Sequence, residues 1–403
     1  MSLAKKDTLL QMKVIGNSQY QKALNASLIL NYLLQNQTAT RVELVNQLGL
    51  RASTITYIIN RFISIDLIRE TPSSAQKRGS GRPAVSLELN RGYGRVIGID
   101  MQAHYFNAVL CDATGTVLRQ VQQEYPPRAD NFEKRLKEVL ALLDVSTTEG
   151  GNGKGTLLGV GIATPGIVHP GTATIEESWP HKISSLSLSH YIKKNFDFPV
   201  VLENDANCGA LHFLWGKTAG SAPSFLYLLP RFHNLQNVPS EYPAVGIGLG
   251  IVIEGKLYHG VKNRAGEFKS ALLNRHDHSE LSLSIEDTYR ITENYDLKRK
   301  MICEILQNLS FAVSLLDPSR ILIGGDLAGE GALFSDILSR ELKPTSDYLQ
   351  QSEVEVQVLT DVTYDAAKGA AAHMLNELFY IPQAGGSELS LQKWSYMLAN
   401  AAQ

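Results

Sequence analysis

Between residues 20 and 35 the apolar positions Leu24, Leu28, Ile29, Tyr32 and Leu33 recur at helical spacing, which predicts an amphipathic helix. After a polar break, RVELVNQLGL reads as a short helix closed by Gly49, a residue free to take the left-handed cap. ASTITYIINRFI then predicts a second helix with Ile55, Ile58, Ile59 and Phe62 inward, and two short helices joined at a glycine make a helix-turn-helix. Two strand-like stretches, Leu67–Glu70 and Ala84–Leu89, flank a loop of Ser, Gly and basic residues, the pattern of a winged helix. From Arg95 the pattern changes. RVIGIDMQAHYFNAVLCDATGTVL reads as a strand pair, followed by a helix with Phe132, Leu136, Val139, Leu140 and Leu143 on one face. LLGVGIATPGIV is a buried strand, VVLENDANCGALHFLWG a strand running into a helix, and AVGIGLGIVIEGKLYHG a glycine-rich strand turn. A long amphipathic helix (301–316), the strand RILIGG and the small-residue helix AAKGAAAHML complete the series. Strands alternating with helices in two repeated halves predict an α/β module of two lobes.

Composition narrows the class. With 44% hydrophobic and 19% charged residues among 403, wholesale disorder is excluded. No apolar run approaches the ~18 residues of a membrane span, and the start MSLAKKDTLLQ lacks a signal-peptide core. Three scattered cysteines, Cys111, Cys208 and Cys303, point to a reducing cytoplasm rather than a disulfide framework. Charge is uneven: residues 1–90 carry eleven basic and five acidic side chains (+6), residues 91–403 twenty-seven and thirty-five (−8). The expected division is therefore a basic DNA-binding domain over 1–90, one lobe over 91–200, and a second over 201–383 whose last helix returns to the first. A tail over 384–403 has a possible amphipathic helix (Leu391, Trp394, Met397, Leu398).

The second helix of the front module would expose Arg51, Ser53, Thr54, Thr56, Tyr57, Asn60 and Arg61, donors suited to a major groove and its phosphates. In the wing, Lys77, Arg78 and Arg82 sit among glycines, and Gly81-Arg82-Pro83 offers an arginine on a narrow backbone that fits a minor groove. Double-stranded DNA is the partner these residues imply.

GIATPGIV, ENDAN, AGE within NRAGEF, LDPSRILIGG and KGAAA, in that order, resemble the ROK family (repressors, open reading frames, kinases) of the actin-like sugar-kinase superfamily. The resemblance covers nearly the whole chain, including the winged-helix extension that the family's repressors carry. It implies that Asn204 contacts sugar, that Asp205 stands where the kinases have their catalytic base, and that Glu267 binds sugar. It also marks departures. The family's first phosphate loop, DIGGTK, reads Asp100-Met101-Gln102-Ala103-His104-Tyr105 here, and the second, GTGIGGG, reads AVGIGLG over 244–250. Without those glycines and the threonine, backbone N–H groups lose their approach to phosphate, so Asp205 is read as vestigial and no cofactor is expected.

The family's Gly-His after AGE is Lys269-Ser270, placing Ser270 in the effector site. Its cysteine-rich zinc stretch is replaced by NRHDHSELSLSIED, so the family's zinc is expected to be absent; His276 and His278 read as a solvated loop, and Glu280 and Glu286 are candidates for the glutamate that closes the motif. Trp179 fits either a packing role or stacking on a sugar ring. The leading expectation is a cytoplasmic, homo-oligomeric (dimeric or tetrameric) DNA-binding repressor of carbohydrate metabolism, responsive to a carbohydrate or sugar-phosphate effector. A DNA-binding sugar kinase and a DNA-binding protein with a mere dimerisation scaffold are the alternatives. The degraded loops count against the first, and the convergence of Asn204, Asp205 and Glu267 against the second.

Overall fold

The computed structural model describes residues 17–72, 85–124, 132–143, 156–215, 223–233, 242–273 and 279–379. Lys77, Arg78 and Arg82 of the wing, the His276/His278 pair and the tail with Leu391, Trp394, Met397 and Leu398 lie outside the described residues. The chain divides into two compact units, one of residues 1–95 with 112–116 and 375–403, the other of 96–111 and 117–374.

In the first unit, α1 (Asn17–Asn36) leads into β1 (Thr38–Thr40), α2 (Arg41–Leu48), α3 (Ala52–Ser64), β2 (Ile68–Pro72) and β3 (Val85–Leu89). The inward stripe of α1 is Ala23, Ala26, Ile29, Leu30 and Leu33, whereas Leu28, expected on it, is exposed. At 3.6 residues per turn Leu28 lies about 200° from both Ala26 and Leu30, so a stripe through those two turns it outward. Helix α2 starts with a capping box: the Thr40 hydroxyl accepts from Glu43 N, and the Glu43 carboxylate accepts from Thr40 N at 2.7 Å. It ends at Gly49 in the left-handed region (φ 63°), the turn that redirects the chain into α3. Ile55, Ile58, Ile59 and Phe62 of α3 are buried as their spacing predicts. The sheet order β1-β3-β2, with Pro72 opposite Val85 at the open end, gives the winged helix. Strand β2 starts one residue later than predicted and runs two past Glu70, because cross-strand pairing continues through Thr71↔Ser86 and Pro72↔Val85; β3 lies within its predicted limits.

The second unit is a repeat. Strands β4 (Arg95–Met101), β5 (Tyr105–Asp112) and β6 (Val117–Glu124), helix α4 (Phe132–Leu142) and strand β7 (Leu157–Thr164) come first. A small antiparallel sheet follows, made of β8 (Ile167–His169), β9 (Thr174–Glu177) and β10 (Leu186–Ser187), and then α5 (Ser189–Asn195), β11 (Val200–Asn204) and α6 (Asp205–Leu214). The second half contains β12 (Phe225–Phe232), β13 (Val245–Ile253), β14 (Lys256–Leu257), the short α7 (Ile285–Thr288) and α8 (Tyr295–Leu316). It continues through β15 (Arg320–Ile323), α9 (Gly331–Arg340), α10 (Lys343–Gln351), β16 (Glu355–Val358) and α11 (Asp365–Phe379). The two five-stranded sheets, β11-β7-β4-β5-β6 and β14-β13-β12-β15-β16, have the same order: in each, the first strand is central, flanked by the second and fourth. Ile97, Ile99 and Phe106 pack with Phe132, Leu136 and Val139 of α4 in one core. Met301, Ile302, Ile305 and Leu309 of α8 pack with Leu226, Leu228 and Ile321 in the other. Helix α8 begins six residues before the predicted Met301, because the Asn294 side chain caps it through Asp296 N and Leu297 N.

Helix α11 approaches its neighbours backbone to backbone. A methyl on Gly98 of β4 would lie 1.9 Å from Ala367 O, and one on Gly161 of β7 1.9 Å from Ala370 O. One on Gly369 of α11 itself would meet Cys208 O of α6 at 1.6 Å. The KGAAA run therefore makes a helix thin enough to seat on glycine-bearing strands. Gly161→Ala should lower stability by ~3 kcal/mol, the upper part of the range for overpacking a core. A melting temperature equal to that of the wild type would contradict this account.

Candidate functional site

The central strands of the two sheets each deliver one charged side chain near their C-terminal ends, Asp100 from β4 and Arg231 from β12. The Arg231 guanidinium donates to Asp100 Oδ2 at 2.8 Å and to the Tyr105 hydroxyl at 3.0 Å, and its Nε lies 3.7 Å from Asp205 Oδ2. Gln102 closes the ring, its amide donating to Asp100 Oδ1 at 2.6 Å and Asp205 Oδ2 at 3.1 Å. Asp100 and Asp205 are buried, and the Arg231 side chain is 13% exposed. Burial alone would discharge Arg231, but Asp100, Tyr105 and Asp205 outweigh it and hold the guanidinium charged. The Asp205 carboxyl is raised above its ordinary range, mainly by burial, with Arg231 opposing and Asp100 reinforcing. Asp205 is thus already satisfied by protein groups.

The first phosphate loop is fastened from behind. His181 Nε2 meets Met101 O at 2.9 Å, and Arg135 of α4 donates to Ala103 O at 2.8 Å. His181 and His233 are pushed down to about 4 and about 3, chiefly by burial, so both are neutral near pH 7.

Around this ring the remaining expected residues divide. Asn204 caps α6: its side-chain oxygen accepts from Ala206 N and Asn207 N, and its amide donates to Gly166 O at 2.9 Å. Glu203, just before it, accepts from Asn204 N, Asn207 Nδ2 and His259 Nε2, the last at 2.7 Å. Glu267 pairs through its backbone with Gly248 of β13, and a methyl on Gly248 would touch Ala206, so Glu267 and the start of α6 meet at one point of β13. Desolvation, then the nearby Asp205 carboxylate, push the Glu267 carboxyl up. Ser270 is buried with its hydroxyl accepting from Leu272 N and from Asn308 Nδ2 of α8. Of the two glutamate candidates, Glu280 accepts from Ile247 N at 2.6 Å and feels the Glu267 carboxylate, while Glu286 sits in the first turn of α7. Among the described residues, no group of three or more His, Cys, Asp or Glu could hold a metal.

On α3, Arg51, Ser53, Thr56, Tyr57 and Asn60 are exposed, and Thr54 and Arg61 half-buried. Asn60 accepts from Arg41 at 3.3 Å, and Arg41 pairs with Glu70 of β2 at 2.7 Å, bracing α3 against α2 and the wing. Sequence reasoning missed Arg41, Gln102, Tyr105 and Arg231. The available signal for Arg231 was a charged residue inside the otherwise apolar strand FLYLLPRF.

Arg231→Met would leave Asp100 and Asp205 facing each other without their cation. Breaking such a buried pair costs ~3–5 kcal/mol, and the deficit should shrink in acid as Asp205, already raised by burial, takes up a proton. Equal destabilisation at pH 5 and pH 7.5 would refute this. Glu280 gives a second titration. Its carboxyl is pushed up to about 8 from an ordinary 4.5, mainly by burial, so it stabilises below 4.5 and that contribution is lost as pH rises through about 8. Glu280→Gln should therefore flatten the fall in melting temperature between those values.

Residues 96–278 match the ROK family model, and residues 26–69 the model of a winged helix-turn-helix DNA-binding domain. The chain is 23% identical to the xylose repressor of Caldicellulosiruptor bescii, over 92% of its own length and all of the relative's. It is 27% identical to the xylose repressor of Bacillus subtilis, over 63% of this chain and 61% of that one. A crystal structure of a ROK family transcriptional regulator, a homologue of the E. coli Mlc protein, superposes with a TM-score of 0.65 and 16% identity over 94% of this chain and 98% of the other. The chain carries a ROK family domain behind a winged helix-turn-helix DNA-binding domain.

Proposed function

We propose that the protein is a sugar-responsive transcriptional repressor that binds operator DNA through α3 and the wing, and that its ROK domain senses a carbohydrate without phosphorylating it. The observation that carries this reading is the Asp100–Arg231–Asp205–Gln102 ring. A base must be free to take the sugar's proton, and phosphoryl transfer needs room and cationic metal at the phosphates. Here a fixed guanidinium beside Asp205 satisfies the carboxylate and repels a metal cation, and Gln102 fills a position where the family has glycine. The xylose repressors among its relatives support a pentose or similar neutral sugar as effector. Asn204, Asp205 and Glu267 would supply the sugar contacts, and a homodimer would present two winged helices to a palindromic operator.

The reading is tested by gel shift against the chain's own upstream DNA, with and without D-xylose and D-glucose, alongside an assay for sugar-dependent ATP hydrolysis. Sugar-dependent change in DNA binding with no ATP turnover is expected; turnover lost in Asp205→Asn would replace the reading with a kinase. Arg51→Ala and Tyr57→Ala should each weaken operator binding by roughly ten- to a hundredfold, the ~1–3 kcal/mol of a groove contact. Asp205→Ala, by contrast, should leave operator affinity near wild type and blunt the sugar response.

A further inference from the structure

A cavity of about 550 Å³ is lined by none of Asn204, Asp205, Glu267 and Ser270, though it includes Trp179, the aromatic that the sequence offers for stacking on a sugar. Its walls include Glu177, Trp179, Lys182, Ser184 and Tyr242. The Trp179 and Tyr242 rings lie parallel, 10° apart with centroids at 5.9 Å, and Trp179 rests edge-on against His233 at 4.5 Å. Glu177 and Lys182 have no ion-pair partner among the described residues, whereas Glu176 next door is taken by His169 and Arg264. Among the described residues the rim thus offers a carboxylate and an ammonium without an ion-pair partner, and a hydroxyl, around a half-buried aromatic pair.

Strand β13 measures how far this cavity is from the sugar contacts. Glu267 pairs with Gly248, and Trp179 sits over Gly246, 3.7 Å from where a methyl on that glycine would be. Two residues along a strand is ~7 Å. The cavity therefore continues the effector site by about one ring. Its size falls in the ~300–1,000 Å³ range of sites for drug-sized ligands, more than a single pentose fills. Flat aromatic faces with a negative quadrupole suit the C–H face of a pyranose, and Glu177, Lys182 and Ser184 suit its hydroxyl edge. A phosphorylated ligand fits poorly, since the wall sets Glu176 and Glu177 against a single lysine.

We propose that this cavity is a second saccharide subsite, stacking one ring on Trp179 and Tyr242, and that the preferred effector is a neutral di- or trisaccharide whose other end reaches Asp205 and Glu267. The inference rests on the sugar-sensing reading given above. It is tested by titration calorimetry of the full-length protein with D-xylose, xylobiose, D-glucose and cellobiose. One disaccharide should bind at least ~10-fold more tightly than its own monosaccharide, Trp179→Ala should remove that gain while keeping the monosaccharide affinity, and Trp179→Phe, which keeps a ring face, should restore most of it. A monosaccharide that binds as tightly as its disaccharide, or a gain that survives Trp179→Ala, overturns the second subsite and leaves sugar sensing intact. No heat with any of the four sugars overturns both.

Discussion

A positive charge buried between two carboxylates is tolerable only when all three are held in place, and here the holding is done by both halves of the ROK domain. Asp100 comes from the central strand of one sheet, Arg231 from the central strand of the other, and Asp205 from the start of α6. At these strand ends Gln102 stands where the family's first loop has glycine, and Arg231 bridges the two carboxylates. In this chain the bridge is covalently part of the protein, so the two sheets are tied together without waiting for a ligand.

That substitution explains why the surrounding residues look as they do. Gln102 needs a side chain where a phosphate loop needs glycine, because its amide must reach both Asp100 and Asp205. Arg135 and His181 grip the loop's carbonyls from outside, which fixes the position of Gln102. Asn204 keeps its place by capping α6 and by holding Gly166, the glycine packed closely against the Glu177 carbonyl. The residue that the family motif marks for sugar is therefore one that the fold itself uses.

Much of this was legible in the sequence. Period-3.6 and period-2 patterns placed α2, α3, α4 and the strands β4, β5 and β7 correctly, and the buried set of α3 followed from spacing alone. Leu28 was misplaced because two alanines, weak in a hydrophobicity count, set the inward face of α1. The motifs located Asp205 and Glu267, yet Arg231 lies 26 residues from Asp205 and 131 from Asp100 and matched no motif. Ser270 was expected to face a sugar from its place in a motif, and its hydroxyl is instead taken up by Leu272 and Asn308. Periodicity reports which face is apolar; it does not report which distant charge will be needed to neutralise a buried one.

The seating of α11 carries a consequence for how the chain acquires its structure. Gly98 and Gly161 receive their partner from residues 367 and 370, so the central sheet of the first lobe stays open on that face until nearly all of the chain has been synthesised. The winged helix pairs its three strands and buries the apolar face of α3 within residues 38–89, all of which leave the ribosome early. During translation the winged helix would precede α11 by some 280 residues, an interval of roughly 15–60 s at ~5–20 residues per second. Through that interval the glycine-bearing strands β4 and β7 lack the helix that covers them in the finished fold.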